Sequence, residues 1–281
     1  MCLEEEWDLD DVDNSTGFTG LHGSAYLGMV EITVRLLEMG EWDLNATDLE
    51  GNTAILWATR NKHGAMVKML LKREDVAPNT LDRYGQTPLL LATENNYKEI
   101  VKILLEREDI IPDTTDRYGR TPLLLAAENN YKEIVKILLE RKGIALNTAD
   151  ENGLTPLLWA ARKGHWGVVN MFLAREDVAT NTTDKGGRTP LSWAAANGYG
   201  DIVKILLGRG GADPNTVDKL GLTPLLWAVG NGHEGIVEIL LERGDVAPGS
   251  IHKGDQIPPL LPAEHSHLSV PGVLVEPCTF D

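Results

Sequence analysis

Cysteine is almost missing from this chain. Cys2 and Cys278 are the only two among 281 residues, they stand near opposite ends, and neither has a neighbour at a zinc or redox spacing. A disulfide framework is therefore excluded, and both read as free thiols of a reducing compartment. Basic residues are also scarce, 26 against 42 acidic ones for a net charge of −16, which disfavours binding to phosphate backbones or anionic lipid. No apolar run approaches the ~20 residues that span a bilayer. The opening MCLEEEWDLDDVDN is acidic where a secretory signal has basic and then apolar residues. Cys278 stands fourth from the end, as in a prenylation box, but Asp281 is a poor final residue for one. There is no basic cluster long enough for a nuclear signal. The expectation is an intracellular protein of cytoplasm or nucleus, with no direct nucleic-acid or membrane contact.

What is present suffices for a core: 42% of residues are hydrophobic and 24% charged, ordinary for a globular chain. The acid is unevenly placed. Residues 1–13 carry seven acids and no base, and residues 251–281 carry a net −3, so the intervening chain is nearly balanced.

A period of 34 residues organises the rest. Gly17, Gly51, Gly85, Gly119, Gly153, Gly187 and Gly221 follow one another at that interval without a slip. Two positions after each stands a threonine, from Thr19 to Thr223, and Pro88, Pro122, Pro156, Pro190 and Pro224 follow five of these. Three residues before each glycine is Asp48, Asp82, Asp116, Asp150, Asp184 or Asp218, with Asn14 in the first copy. Asp-x-x-Gly suits a tight turn, since Asp bonds its own following backbone and glycine accepts a left-handed conformation. Thr-Pro then starts a helix, the hydroxyl capping free amides and proline losing no bond at the first helical position.

Each unit thus reads as turn, short helix, turn, longer helix, loop. The first helix, Pro88 to Asn95 in the third copy, carries paired small residues such as Ala126 and Ala127, Ala160 and Ala161, or Ala194 and Ala195. Gly164, Gly198 and Gly232 end it in three copies and Asn96 and Asn130 in two, residue types that tolerate a left-handed cap; Lys62 at the same place implies strain. In the second helix Ile100, Val101, Ile103, Leu104 and Leu105 form an apolar stripe, with Lys98, Glu99, Lys102 and Glu106 outward. A helix so short is marginal alone, so adjacent units must cover its stripe.

These residues resemble the ankyrin repeat: Gly-x-Thr-Pro-Leu, two small residues, Gly-His, Ile-Val, Leu-Leu and a loop ending in Asn-x-x-Asp. Copy seven shows most of it, GLTPLLWAVGNGHEGIVEILLERGDVAPGS. The tetratricopeptide repeat shares the period but opens no helix with proline. The resemblance implies an all-α fold, an ankyrin-repeat solenoid of about seven stacked helix-turn-helix repeats with protruding β-turn fingers. Its repeats span residues 14–47, 48–81, 82–115, 116–149, 150–183, 184–217 and 218–250, within a domain of residues 14–250. Two departures stand out. The extra residue over the commoner period of 33 falls after the second helix, and the histidine after Thr-Pro-Leu survives only as His22. The LLWA and LSWAA variant is similar to arrays of filamentous fungi. Glu6-Trp7-Asp8-Leu9 echoes Glu41-Trp42-Asp43-Leu44, so residues 1–13 read as the remnant of a preceding repeat loop. Residues 251–281 hold Pro258, Pro259, Pro262, Pro271 and Pro277 and form a proline-rich tail rather than a further helix pair.

No catalytic constellation emerges. Gly208, Gly210 and Gly211 follow a helix rather than a strand, unlike a phosphate or dinucleotide site. His63, His165 and His233 share one phase at the start of the second helix, where the resemblance implies a structural tie. His265 and His267 with Cys278 lack regular metal-ligand spacing. The expectation is a protein that is not an enzyme and uses neither cofactor nor metal. Trp57, Trp159, Trp193 and Trp227 share another address, filled by Leu91 and Leu125 in copies three and four; they read as core filling or as an aromatic binding ladder.

Scaffold positions repeat while recognition positions vary, and the resemblance implies that turn tips and helix-one outer faces form a concave binding surface. The varying tip positions that mark candidate partner-binding residues are Arg83, Tyr84, Gln86, Arg117, Tyr118, Arg120, Lys185, Arg188 and Lys219. Arg and Tyr dominate protein interfaces. Arg83, Tyr84, Arg117 and Tyr118 are therefore expected to anchor an acidic or aromatic-bearing partner, unless their near-identity in copies three and four records only duplication. The resemblance implies a monomeric, non-catalytic protein–protein interaction scaffold or regulatory adaptor. A transcription co-regulator is one form of it, since Leu3, Trp7, Leu9 and Val12 interleave with carboxylates as in an activation segment. The alternative is a sensor or targeting fragment related to longer signalling arrays.

Overall fold

Every Thr-Pro step opens a helix. The structure, a computed structural model, describes residues 17–40 and 42–246; the acidic segment 1–13 and the whole tail 251–281, with His265, His267 and Cys278, lie outside the described residues. First helices are α1 (Gly20–Leu27), α3 (Ala54–Arg60), α5 (Pro88–Glu94), α7 (Pro122–Glu128), α9 (Pro156–Arg162), α11 (Pro190–Ala196) and α13 (Pro224–Gly230). Second helices are α2 (Val30–Glu38), α4 (Gly64–Leu71), α6 (Lys98–Leu105), α8 (Lys132–Glu140), α10 (Trp166–Leu173), α12 (Gly200–Gly208) and α14 (Glu234–Leu241). The Thr87, Thr121, Thr155, Thr189 and Thr223 hydroxyls each accept the amide three residues on, at 3.1 to 3.3 Å. Thr53 departs from this: it makes no such bond, and its hydroxyl lies 3.3 Å from that of Thr80.

The turn between the helices runs left-handed, with φ near +76° at Gly164, +80° at Gly198 and +72° at Gly232, and also at Asn96, Asn130 and Lys62. Glycine at Gly164 serves a second need, because a Cβ there would come within 2.7 Å of the Tyr199 ring. Lys62, at φ +62°, holds the strained conformation that its side chain implies.

The described residues divide into two compact units, those of 17–126 with 137–144 and those of 127–136 with 145–246. In unit 1, α1, α3 and α5 lie side by side, as do α2, α4 and α6; in unit 2 the same holds for α9, α11 and α13 and for α10, α12 and α14. Ile100, Val101 and Leu104 of α6 are buried, each apolar side chain contributing about 1.5–3 kcal/mol of transfer free energy. Ile103 and Leu105 remain half-exposed, so the covered stripe is narrower than the sequence pattern. Ile32 of α2, at the position of buried Met66 and Ile100, is 48% exposed.

Polar ties accompany this packing. The Nε2 atoms of His63, His165 and His233 lie 2.9 to 3.1 Å from the carbonyls of Tyr26, Glu128 and Ala196, each 37 residues earlier. A carbonyl only accepts, so each Nε2 donates and ties its helix to the preceding repeat. Asn45, Asn147, Asn181 and Asn215 reach the loop of the following repeat, where Asn45 donates to the Asp75 carbonyl and accepts from the Ala77 amide, both at 2.7 Å. Arg107, Arg141 and Arg243 donate to carbonyls at the end of the preceding second helix, those of Leu71, Leu105 and Leu207, where a cation also complements the helix dipole.

The fingers are built on aspartate. Oδ1 of Asp48 accepts the amides of Glu50 and Asn52 at 2.9 and 2.8 Å, and Asp82, Asp116, Asp150, Asp184 and Asp218 repeat the arrangement. The second oxygen needs its own donor, because all these carboxylates except half-buried Asp184 are withdrawn from water. Indole Nε1 of Trp57, Trp159, Trp193 and Trp227 supplies it at 2.9 to 3.0 Å. Where leucine replaces tryptophan, arginine takes over: Arg60 donates to Asp82 at 2.9 Å and Arg120 to Asp116 at 2.8 Å. Burial pushes the Asp48 carboxyl upward, but bonds from the Asn52 amide and side chain, the Trp57 indole and the Glu50 amide outweigh it and hold the group below the usual carboxylate range.

Two stability outcomes follow. Lys62→Gly relieves the left-handed strain and should stabilise the protein by about 0.5–1 kcal/mol in urea unfolding, after loss of the Lys62–Tyr97 ring contact; an unchanged or lower midpoint would show that no strain is stored there. Asp48→Asn turns an amide group toward the Trp57 donor and should cost about 1–3 kcal/mol at neutral pH. Because the Asp48 carboxyl lies low in the folded chain, its contribution is complete above the unfolded value of ~3.9. The gap to wild type should therefore close as pH falls below about 4, measured by unfolding across that range; a gap independent of pH counts against it.

Candidate partner-binding face

In unit 1 the expected anchors come together. The Arg83 guanidinium lies 4.7 Å from the centre of the Tyr84 ring, bonds the Tyr84 hydroxyl and pairs with Glu50 at 2.9 Å. Arg117 lies between rings of consecutive fingers, 5.5 Å from Tyr84 and 4.8 Å from Tyr118. Arg120 lies 5.1 Å from Tyr118 while it holds Asp116 and reaches Glu94 at 3.7 Å. Gln86 donates to the same Glu94. The result is an alternating row, Arg83, Tyr84, Arg117, Tyr118, Arg120, with contacts worth about 0.5–1 kcal/mol each at exposed sites. Arg117 and Tyr118 are exposed and Tyr84 half-exposed.

Unit 2 carries a second row, which the sequence showed only in part. Arg162 lies 5.0 Å from Trp159 and 4.6 Å from Trp193; Arg188 lies 4.6 Å from Trp193 and 4.3 Å from Trp227. Lys163 approaches Trp159 at 5.5 Å. Arg188 is thus a stacked member of the row, whereas Lys185 and Lys219 stand exposed beside it. Their backbone amides join their fingers to the preceding ones, bonding the Asn152 and Gly186 carbonyls at 3.0 and 2.9 Å.

The tryptophans are neither plain core filling nor a bare aromatic ladder. Trp227 is buried, but Trp57, Trp159 and Trp193 keep exposed edges, with the nitrogen spent on aspartate and the ring against a cation. The signal for this lay in the spacing of nine from Asp48, Asp150, Asp184 and Asp218 to those tryptophans. Arg162, which belongs to no fingertip, had no such signal.

His22 accepts the Thr19 amide at Nδ1 and donates from Nε2 to the Ala46 carbonyl. The described histidines therefore all spend Nε2 on backbone carbonyls, which leaves cations, hydroxyls and aromatic edges as the chemistry of this face. Among the described residues no group of three or more His, Cys, Asp or Glu side chains is placed to hold a metal ion. No helix among them is long and apolar enough to cross a membrane.

Solved structures of other proteins share this architecture. The ankyrin repeat domain of Bcl-3, described as a unique member of the IkappaB protein family, aligns with a TM-score of 0.68 at 26% identity over 76% of this chain and 95% of its own. EF0377, an ankyrin repeat protein, aligns with a TM-score of 0.65 at 28% identity over 72% of this chain and 98% of its own. No curated protein sequence matches the chain. The family model for ankyrin repeats in three copies matches overlapping stretches, residues 2–82, 21–116, 74–150, 111–182, 142–218 and 167–249. With the period, the capped helix pairs and the aspartate-based fingers, this establishes that the chain belongs to the ankyrin-repeat family.

Proposed function

We propose that this protein is a non-catalytic scaffold or regulatory adaptor that holds a protein partner against its fingers and helix-one faces. Ankyrin repeats act generally as protein-interaction modules. The observation that carries the proposal here is the contrast within each repeat. Asp, Thr and Gly recur to build the finger, while the side chains projecting from its tip change from copy to copy, from Leu49 and Glu50 through Arg83, Tyr84, Arg117 and Tyr118 to Lys185, Lys219 and Leu220, beside the Trp edges of the first helices. The Arg, Tyr and Trp among them bring large contact area or forked donors at little entropic cost. Stacking holds the Arg and Tyr side chains of unit 1 before any partner arrives, which lowers the ordering cost of binding.

Changing Arg83, Tyr84, Arg117 and Tyr118 together to alanine should leave helicity and the unfolding midpoint near wild type, because none of the four side chains donates to an aspartate at a finger base and the Arg83–Glu50 pair is exposed. Capture of the native partner, identified by affinity purification and mass spectrometry, should fall at least about tenfold. A control with Lys102 and Glu106 of the helix-two surface changed to alanine should capture normally. Equal capture by both variants would remove these four residues from the interaction.

A further inference from the structure

We propose that the tryptophan–arginine row of unit 2 is the docking site for an acidic segment of the partner protein, an inference that rests on the scaffold reading above and locates its charge recognition. The aspartate at each finger base needs a donor for its second oxygen, and the donor chosen decides whether a cation is left over. In unit 1, Arg60 is used by Asp82, Arg120 by Asp116 and Arg83 by Glu50, so that of its row only Arg117, between the Tyr84 and Tyr118 rings, has no carboxylate partner among the described residues. In unit 2 the neutral indoles of Trp159, Trp193 and Trp227 serve Asp150, Asp184 and Asp218. Arg162, Lys185 and Lys219 consequently have no carboxylate partner among the described residues, and Arg188 has only Asp218, 3.7 Å from its Nε.

Charge complementarity points the same way. Fingertips and helix-one ends in copies five to seven present Arg162, Lys163, Lys185, Arg188 and Lys219 with Glu151 as the exposed acid, on a chain whose net charge is −16. The geometry is selective as well. The Arg162 guanidinium lies against two indoles at 5.0 and 4.6 Å, which shields its faces from water and leaves its N–H edge as a forked donor for a carboxylate. Nucleic acid fits less well, because base stacking needs an open aromatic face and Trp193 already carries two guanidiniums.

The test uses the whole chain and three labelled probes read by fluorescence anisotropy: oligoglutamate, oligoglutamine of the same length, and single-stranded oligothymidylate. Oligoglutamate should bind and oligoglutamine should not. The triple variant R162A/K185A/K219A, whose altered side chains hold no finger carboxylate, should lose affinity for oligoglutamate at least about tenfold. The Arg83, Tyr84, Arg117, Tyr118 alanine variant should lose less than about twofold, and circular dichroism should match wild type in both. Failure of oligoglutamate to bind, equal binding by the triple variant, or tighter binding of oligothymidylate would overturn the site. If the quadruple variant loses partner capture while the triple variant retains oligoglutamate binding, this site falls and the scaffold reading stands. If native capture is indifferent to both variants, the scaffold reading itself falls.

Discussion

A carboxylate at the base of each aspartate-built finger, withdrawn from water in all but half-buried Asp184, is the constraint on which the binding face depends. Leaving such a group half-satisfied costs more than a hydrogen bond returns, so both oxygens must find donors. One oxygen gathers the two amides that turn the chain, which fixes the finger as a tight hairpin without a sheet to support it. The other oxygen reaches outward to a side chain on the first helix, the finger or the preceding repeat, and so locks the finger to its helices. Position, shape and electrostatics of the face all derive from this bond.

The identity of that outward donor divides the repeats into two kinds. An indole satisfies the oxygen without charge and offers its ring to a neighbouring arginine. A leucine at the same address offers nothing, and an arginine is drawn in as counterion. The two rows therefore differ in chemistry although both alternate cations with aromatics: the tyrosine row has most of its charge compensated, while the tryptophan row keeps cations to spare. Membership in the ankyrin-repeat family accounts for the frame, and this local exchange of donors accounts for what the frame presents.

Much of the frame was legible in the sequence because it rests on local signals. Thr-Pro specifies a helix start, Asp-x-x-Gly a turn, and their strict interval the repetition; Gly164, Gly198 and Gly232 marked the left-handed turns, as did the uncomfortable Lys62. Bonds between repeats were not legible, because they join residues 30 to 37 positions apart through side chains with many local alternatives. The resemblance implies a structural tie for the histidines but not its partner, which is a carbonyl of the preceding repeat. Asn45 and Arg107 carry no such signal either, yet each bridges to a neighbouring repeat. The tryptophans read from sequence as core filling or as an aromatic binding ladder, and neither reading uses the ring nitrogen; Arg162 carries no signal because it sits at the end of α9 rather than on a fingertip. The cations on the fingertips were counted correctly, but a count cannot tell a spare charge from one already spent.

The most direct measurement of the central claim is hydrogen exchange at the indole nitrogens by NMR. The chain has seven tryptophans, and the signals of Trp57, Trp159, Trp193 and Trp227 should exchange slowly because each N–H is bonded to a finger-base carboxylate. In an Asp150→Ala variant the Trp159 signal alone should shift and lose its protection while the other three stay slow. Fast exchange at all four in the wild type, or a Trp159 signal indifferent to the loss of Asp150, would contradict the role of the buried carboxylate.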